Sequence, residues 1–193
     1  MPKIVKDEII YMAVMQVVSE RGYAGAATKQ MAEMADVSEM TLFRKYGNKA
    51  ELVKQAISFI VEETDFSSAA EYTGDIHADL LRVVQAHYGS AVKHGFFFVA
   101  LFFDFSRYPE LLEALDQPLE IFTAIGELIA RYQEEGVLKS GNQIHIVSSL
   151  LGPLVYSSML GRAILKSNIP PRDLSNHVSM FLAGYGNNPK TIR

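Results

Sequence analysis

Between residues 28 and 49 the chain gathers Thr28, Lys29, Ser38, Glu39, Thr41, Arg44, Lys45, Tyr46 and Lys49. This is the chemistry of recognition, not of bond making. An arginine fork matches guanine O6 and N7, a glutamate accepts from cytosine N4, and lysines meet phosphates. Met40 and the Thr41 methyl offer apolar contact to a thymine methyl. Catalytic constellations are missing from the sequence. It has no cysteine, no G-x-S-x-G, no phosphate-binding loop, no Rossmann glycine fingerprint and no H-E-x-x-H. His87 and His94 fall about two helical turns apart without a third ligand nearby, so neither metal nor cofactor is expected.

Two short helices must position these groups. Ile10, Ala13, Val14, Val17 and Val18 repeat at helical spacing, and Gly22 stops that helix with Tyr23 as the following apolar contact. Thr28 reads as the N-cap of a second helix, whose inner face is Met31, Ala32 and Ala35. Asp36 falls in a turn that favours a left-handed backbone. Ser38 caps a third helix with Leu42 and one of Phe43 or Tyr46 inside, and Gly47 ends it. Asn48 and Glu51 then open a fourth helix in the manner of a capping box, running to about Phe66. Helix, tight turn, helix is the layout of a helix-turn-helix, whose second helix enters the DNA major groove.

That segment, RGYAGAATKQMAEMADVS followed by MTLFRKYGNKAEL, resembles the tetracycline-repressor (TetR) family of regulators. The shared features are the Gly22-Tyr23 pair, Thr28, Met31-Ala32, Val37-Ser38, Thr41-Leu42-Phe43 and Asn48-Lys49, over about residues 7–57. Asp36 stands where the family usually has Gly, Met40 where a small residue is common, and Lys45 where His or Tyr is frequent. Phe43 replaces a frequent Tyr and so lacks its hydroxyl, and Tyr46 occupies a usual Phe position. The resemblance implies an all-α protein, with a helix-turn-helix domain at residues 1–49 and a ligand-binding and dimerisation domain at 50–193. It also implies operator DNA with an inverted repeat as partner. Thr28 then meets phosphate, Lys29 a base or the backbone, and Ser38, Glu39, Met40, Thr41 and Phe43 lie at the groove. Arg44 is the candidate for guanine, while Lys45, Tyr46 and Lys49 are backbone clamps, Tyr46 being equally a core residue.

Net charge is −4, but residues 1–49 carry seven Lys and Arg against six Asp and Glu, a net of +1. Charge placement governs phosphate contact more than the total does. The remaining chain reads as further helices, roughly nine in all. Residues 67–74 are a polar connection, and Ile76 opens a helix stopping near Gly95. Phe96–Phe105 is apolar almost all round and is expected as a short, deeply buried helix. Pro109 and Pro118 start two more, Ile144–Leu165 holds Pro153, Pro170-Pro171 breaks it, and Leu174–Tyr185 is the last. Asp104 and Arg107 are spaced as a local ion pair. Phe59, Glu63, His87, Phe98, Phe102, Phe103, Phe122 and Tyr156 are candidates to line a pocket for a small hydrophobic ligand. Residues about 144–186, with Ser148, Gly152, Ser157 and Gly161, suit a homodimer face. No signal peptide or bilayer-length apolar run is seen, so a cytoplasmic protein without membrane contact is expected. The function expected is a DNA-binding repressor released by an apolar or aromatic ligand. The alternatives are a ligand-independent DNA-binding protein or a helical enzyme using scattered carboxylates.

Overall fold

The computed structural model describes residues 6–160 and 172–187. Gly161, Pro170-Pro171 and the end of the helix expected over 144–165 lie outside them. Among the described residues nine α-helices follow in order: α1 Asp7–Gly25, α2 Thr28–Met34, α3 Glu39–Tyr46, α4 Lys49–Glu63, α5 Phe66–Ala69, α6 Ile76–Phe102, α7 Asp116–Glu134, α8 Gln143–Leu160 and α9 Leu174–Tyr185. A 3-10 helix, Pro109–Leu115, precedes α7. The protein is all-α; an isolated antiparallel bridge, Leu138 to Gly186, is the one β feature among the described residues. No helix among them is long and apolar enough to cross a membrane.

The chain forms two compact units. One runs to Glu63 and adds His94–Pro118; the other takes Thr64–Lys93 and the described residues from Leu119 on. The division after residue 49 expected from sequence falls inside the first unit, because α4 packs there. Leu52, Val53, Ala56, Ile57 and Ile60 of α4 bury against the stripe of α1. Met31 and Ala32 of α2, Leu42 and Tyr46 of α3, and Phe97, Leu101 and Leu111 complete this core. Apolar residues three and four apart put each helix's inner face on one line, which is why the sequence pattern finds the same residues.

Gly22 breaks α1 as expected, with φ 67° and ψ 171°, a region almost closed to other residues. The chain then regains one helical turn to Gly25. The fourth helix ends at Glu63, short of Phe66, and Phe66–Ala69 forms a single turn within the expected connection, capped by Asp65 through the Ser68 N–H.

Two expectations fail around residue 95. Gly95 does not stop a helix: α6 is continuous through it for 27 residues. An interior glycine costs only about 1 kcal/mol relative to alanine, which burial of Phe97 and Leu101 on the following turns offsets. Nor is Phe96–Phe105 buried all round, since Phe102 and Phe103 are each 70% exposed.

The second unit is organised by a buried carboxylate. Asp79, fully shielded from solvent, accepts from the Thr73 N–H (2.8 Å), the Thr73 hydroxyl (2.5 Å), the Tyr132 hydroxyl (2.5 Å) and Arg82 (2.8 Å). The apolar core of this unit is formed by Leu80, Val83 and Val84 of α6, Leu128 and Ile129 of α7, Leu150 and Leu154 of α8, and Val178 and Leu182 of α9. Burial pushes the Asp79 carboxyl up, but the donors from Thr73, Tyr132 and Arg82 together outweigh it and hold it below the usual carboxylate range. Removing the charge should therefore cost stability. Asp79→Asn is expected to unfold about 2–3 kcal/mol more easily in urea at neutral pH. A folded value below the unfolded one adds stability above the ordinary aspartate pKa, about 3.9. The gap between wild type and variant should thus be full above that pH and close as pH falls through the lower folded value. A gap that does not change with pH would contradict the assignment.

Candidate nucleic-acid interface

The turn between α2 and α3 is built by local chemistry. Asp36 adopts a positive φ of 55°, and Val37 N–H returns to Ala32 O at 3.0 Å. Ser38 caps α3, accepting from Thr41 N–H at 3.1 Å, with its hydroxyl 2.8 Å from that of Thr41. Leu42 and Tyr46, one turn apart, face the core. The opposite side of α3 therefore points to solvent: Met40, Phe43, Arg44 and Lys45 are exposed, and Glu39 and Thr41 are half-buried. On α2, Lys29 is exposed and Thr28 half-buried. No ion pair among the described residues involves Lys29 or Arg44, so both cations face solvent.

Several of the expected contact residues are engaged within the fold. Thr28 is not an N-cap: Ala27 holds that place, and the Thr28 hydroxyl donates to the Glu39 carboxylate, tying the start of α2 to the start of α3. Lys45 pairs with Asp7 in the first turn of α1. Lys49 is a staple inside the fold. Its ammonium donates to Tyr23 O (2.8 Å) and Ala26 O (3.3 Å) and lies 4.1 Å over the Tyr23 ring. Burial lowers it below the ordinary lysine range, although Glu110 and Asp104 act to raise it. Tyr46 is a core residue, its ring edge-on to Tyr11 at 6.0 Å and its hydroxyl out of reach of solvent. Burial pushes its phenol up. A phosphate clamp needs a free donor; the Tyr46 hydroxyl is shielded from solvent, and the half-buried Lys49 ammonium already donates to two carbonyls.

The eight pocket candidates divide between the units. Phe59 and Phe98 pack on the first core, Phe59 against Tyr11 at 5.5 Å and Phe98 against Phe97 at 5.7 Å. Glu63 lies 3.3 Å from His94 Nε2, and Phe102 and Phe103 meet edge to face at 5.5 Å. In the second unit His87 and Phe122 meet at 6.4 Å, while Tyr156 is exposed on α8. His87 Nε2 is out of contact with water and without a hydrogen-bond partner, and burial lowers the imidazole to about 4. It is neutral at physiological pH, able to donate or accept.

Sequence reasoning missed Asp7, and it read Asp104 as the ion-pair partner of Arg107, whereas no ion pair among the described residues joins the two. The Asp104 carboxylate accepts from the Tyr23 N–H at 2.9 Å, across 81 positions of chain. No local pattern signals such a partner.

Comparison with known proteins adds to this geometry. The family model described as bacterial regulatory proteins, tetR family, matches residues 10–56. An uncharacterised helix-turn-helix-type transcriptional regulator, YvkB of Bacillus subtilis strain 168, is 27% identical over 188 residues, covering 89% of this chain and 93% of that one. Among solved structures, a TetR-family transcription regulator of Marinobacter aquaeolei VT8 has a TM-score of 0.73 at 12% identity, with 94% and 96% of the two chains covered. The TetR-family regulator PfmR of Thermus thermophilus has a TM-score of 0.66 at 17% identity, with 90% and 94% covered. Residues 10–56 thus match the helix-turn-helix head of the tetR-family regulators, the relative that the chain resembles over most of its length is a helix-turn-helix-type transcriptional regulator, and the fold along the chain is that of TetR-family regulators.

Proposed function

We propose that this regulator is a ligand-released repressor, acting as a homodimer on an inverted-repeat operator. The observation that carries the DNA side is the outer face of α3, where Arg44 is exposed on the side away from the buried anchors of the helix. In this reading residues 1–49 read DNA and 50–193 bind ligand and dimerise. Arg44 reads guanine, Glu39 accepts from cytosine, and Met40 and Thr41 meet thymine methyls. Lys29, Lys45, Thr28 and Ser38 meet the backbone, with Phe43 against sugar or base. The Lys45–Asp7 pair is a surface pair worth little, so Lys45 can exchange it for phosphate. Lys49 and Tyr46 act by holding the head's shape.

The dimer reading rests on apolar side chains left in water on α8 and α9: Ile144, Tyr156 and Met180. Such a surface suits a twofold interface, and two half-sites require one. Ligand binding is supported by neutral, unpartnered His87 Nε2 beside Phe122, a polar point in apolar surroundings. An apolar or aromatic molecule bearing one hydrogen-bonding group would satisfy it. Release from DNA requires that the ligand favour the geometry that does not bind, and operator must then weaken ligand binding by the same factor.

Arg44→Ala should relax base preference at one position in each half-site, costing about 1–3 kcal/mol per base contact. Lys45→Ala should weaken all sequences alike and reduce the salt slope by about one. Binding to a selected operator that neither change affects would overturn the reading. A Cβ at Gly152 meets nothing within 4 Å in the protomer. Gly152→Trp should thus keep the fold and yield monomers in sedimentation; a stable dimer of this variant would place the interface elsewhere.

A further inference from the structure

Asp104 follows the C-terminal end of α6 and is only 8% exposed. Its Oδ2 accepts from the Tyr23 N–H at 2.9 Å. That amide needs an outside acceptor, because non-helical Gly22 turns it away from the carbonyl four residues back. Tyr23 is gripped on its other sides as well. Its ring lies 5.1 Å from Tyr108, and the Lys49 ammonium sits 4.1 Å over its face. Burial, then the Glu110 carboxylate, push its phenol up to about 12. Everything that reads DNA hangs from this point: α2 begins at Thr28, five residues on, and α3 follows it. The grip on Tyr23 comes from Asp104 and Tyr108, far along the chain, and from Lys49 of α4. The 3-10 helix packs against α4, with Glu113 3.2 Å from Lys54.

We propose that Asp104 is a positioning residue for DNA binding: its carboxylate fixes the turn at Gly22-Tyr23 and so holds α2 and α3 in the arrangement that fits the groove. The inference rests on the reading that this head meets DNA. Without an acceptor at position 104, the buried Tyr23 N–H is unpaired, and every arrangement that keeps it buried is penalised. The head then shifts towards arrangements that let this amide reach water. Apparent operator affinity falls by the fraction of molecules that leave the competent form.

Two substitutions separate this role from packing and from charge. Asp104→Asn keeps an acceptor and loses the charge; Asp104→Leu keeps the branched shape and loses the acceptor. The full-length chain is tested on the duplex that the wild type enriches from a random library, with folding followed by circular dichroism. The leucine variant should bind about tenfold more weakly or worse, while the asparagine variant stays within about threefold of wild type. A folded leucine variant that binds like wild type, or an asparagine variant impaired as much as leucine, would overturn the role. If the leucine variant does not fold, amide hydrogen exchange in the wild type decides. The Tyr23 amide should be protected and gain protection on adding the duplex; no gain would overturn the role. A wild type that enriches no duplex overturns the DNA reading and this role with it.

Discussion

An eight-residue helix does not hold its shape in water, since nucleation is unfavourable and few hydrogen bonds repay it. Helix α3 is such a helix, and it survives because Leu42 and Tyr46 are sunk into the core formed by α1 and α4. The rest of the interface depends on that burial. Fixing two side chains one turn apart sets the rotation of the helix about its axis, and this leaves Met40, Phe43 and Arg44 on the far side. The Ser38 cap and the left-handed Asp36 set where α3 starts. Helix α4 shapes the same head, because its Lys49 also pins the carbonyls of Tyr23 and Ala26.

The near balance of charge in residues 1–49 has a physical counterpart in the structure. Acidic groups lie next to the groups that would meet DNA: Asp7 holds Lys45, and Glu39 accepts from Thr28. An exposed ion pair such as Lys45–Asp7 is weak and screened by salt. It keeps the Lys45 side chain ordered without removing it from competition by phosphate. Lys29 and Arg44, which face solvent, supply the open cationic positions among the described residues of the two short helices.

Much of the head was legible in the sequence because it is local. The stops at Gly22 and Gly47, the Ser38 and Asn48 caps and the turn at Asp36 each depend on a few neighbouring residues. What escaped depends on contacts distant in sequence. Thr28 looked like a cap, but a partner on the next helix takes its hydroxyl. Lys49 looked like a surface clamp until the fold placed two carbonyls before it. Gly95 looked like a stop, but flanking burial carries α6 through it. The run of phenylalanines misled most: apolar composition says that some face is buried, while only packing decides which, and Phe102 and Phe103 are on the other. Asp104 offered a visible neighbour at Arg107 and nothing to suggest Tyr23.

The central claim is that the outer face of α3 meets the major groove. Site-specific photocrosslinking tests it most directly. A photoreactive phenylalanine analogue would replace Phe43, exposed on α3, and in a parallel protein Tyr156, exposed on α8. Both proteins would be irradiated on the duplex enriched by the wild type. The account predicts crosslinks to bases from position 43 and none from position 156. Crosslinking from 156 with none from 43 would contradict it.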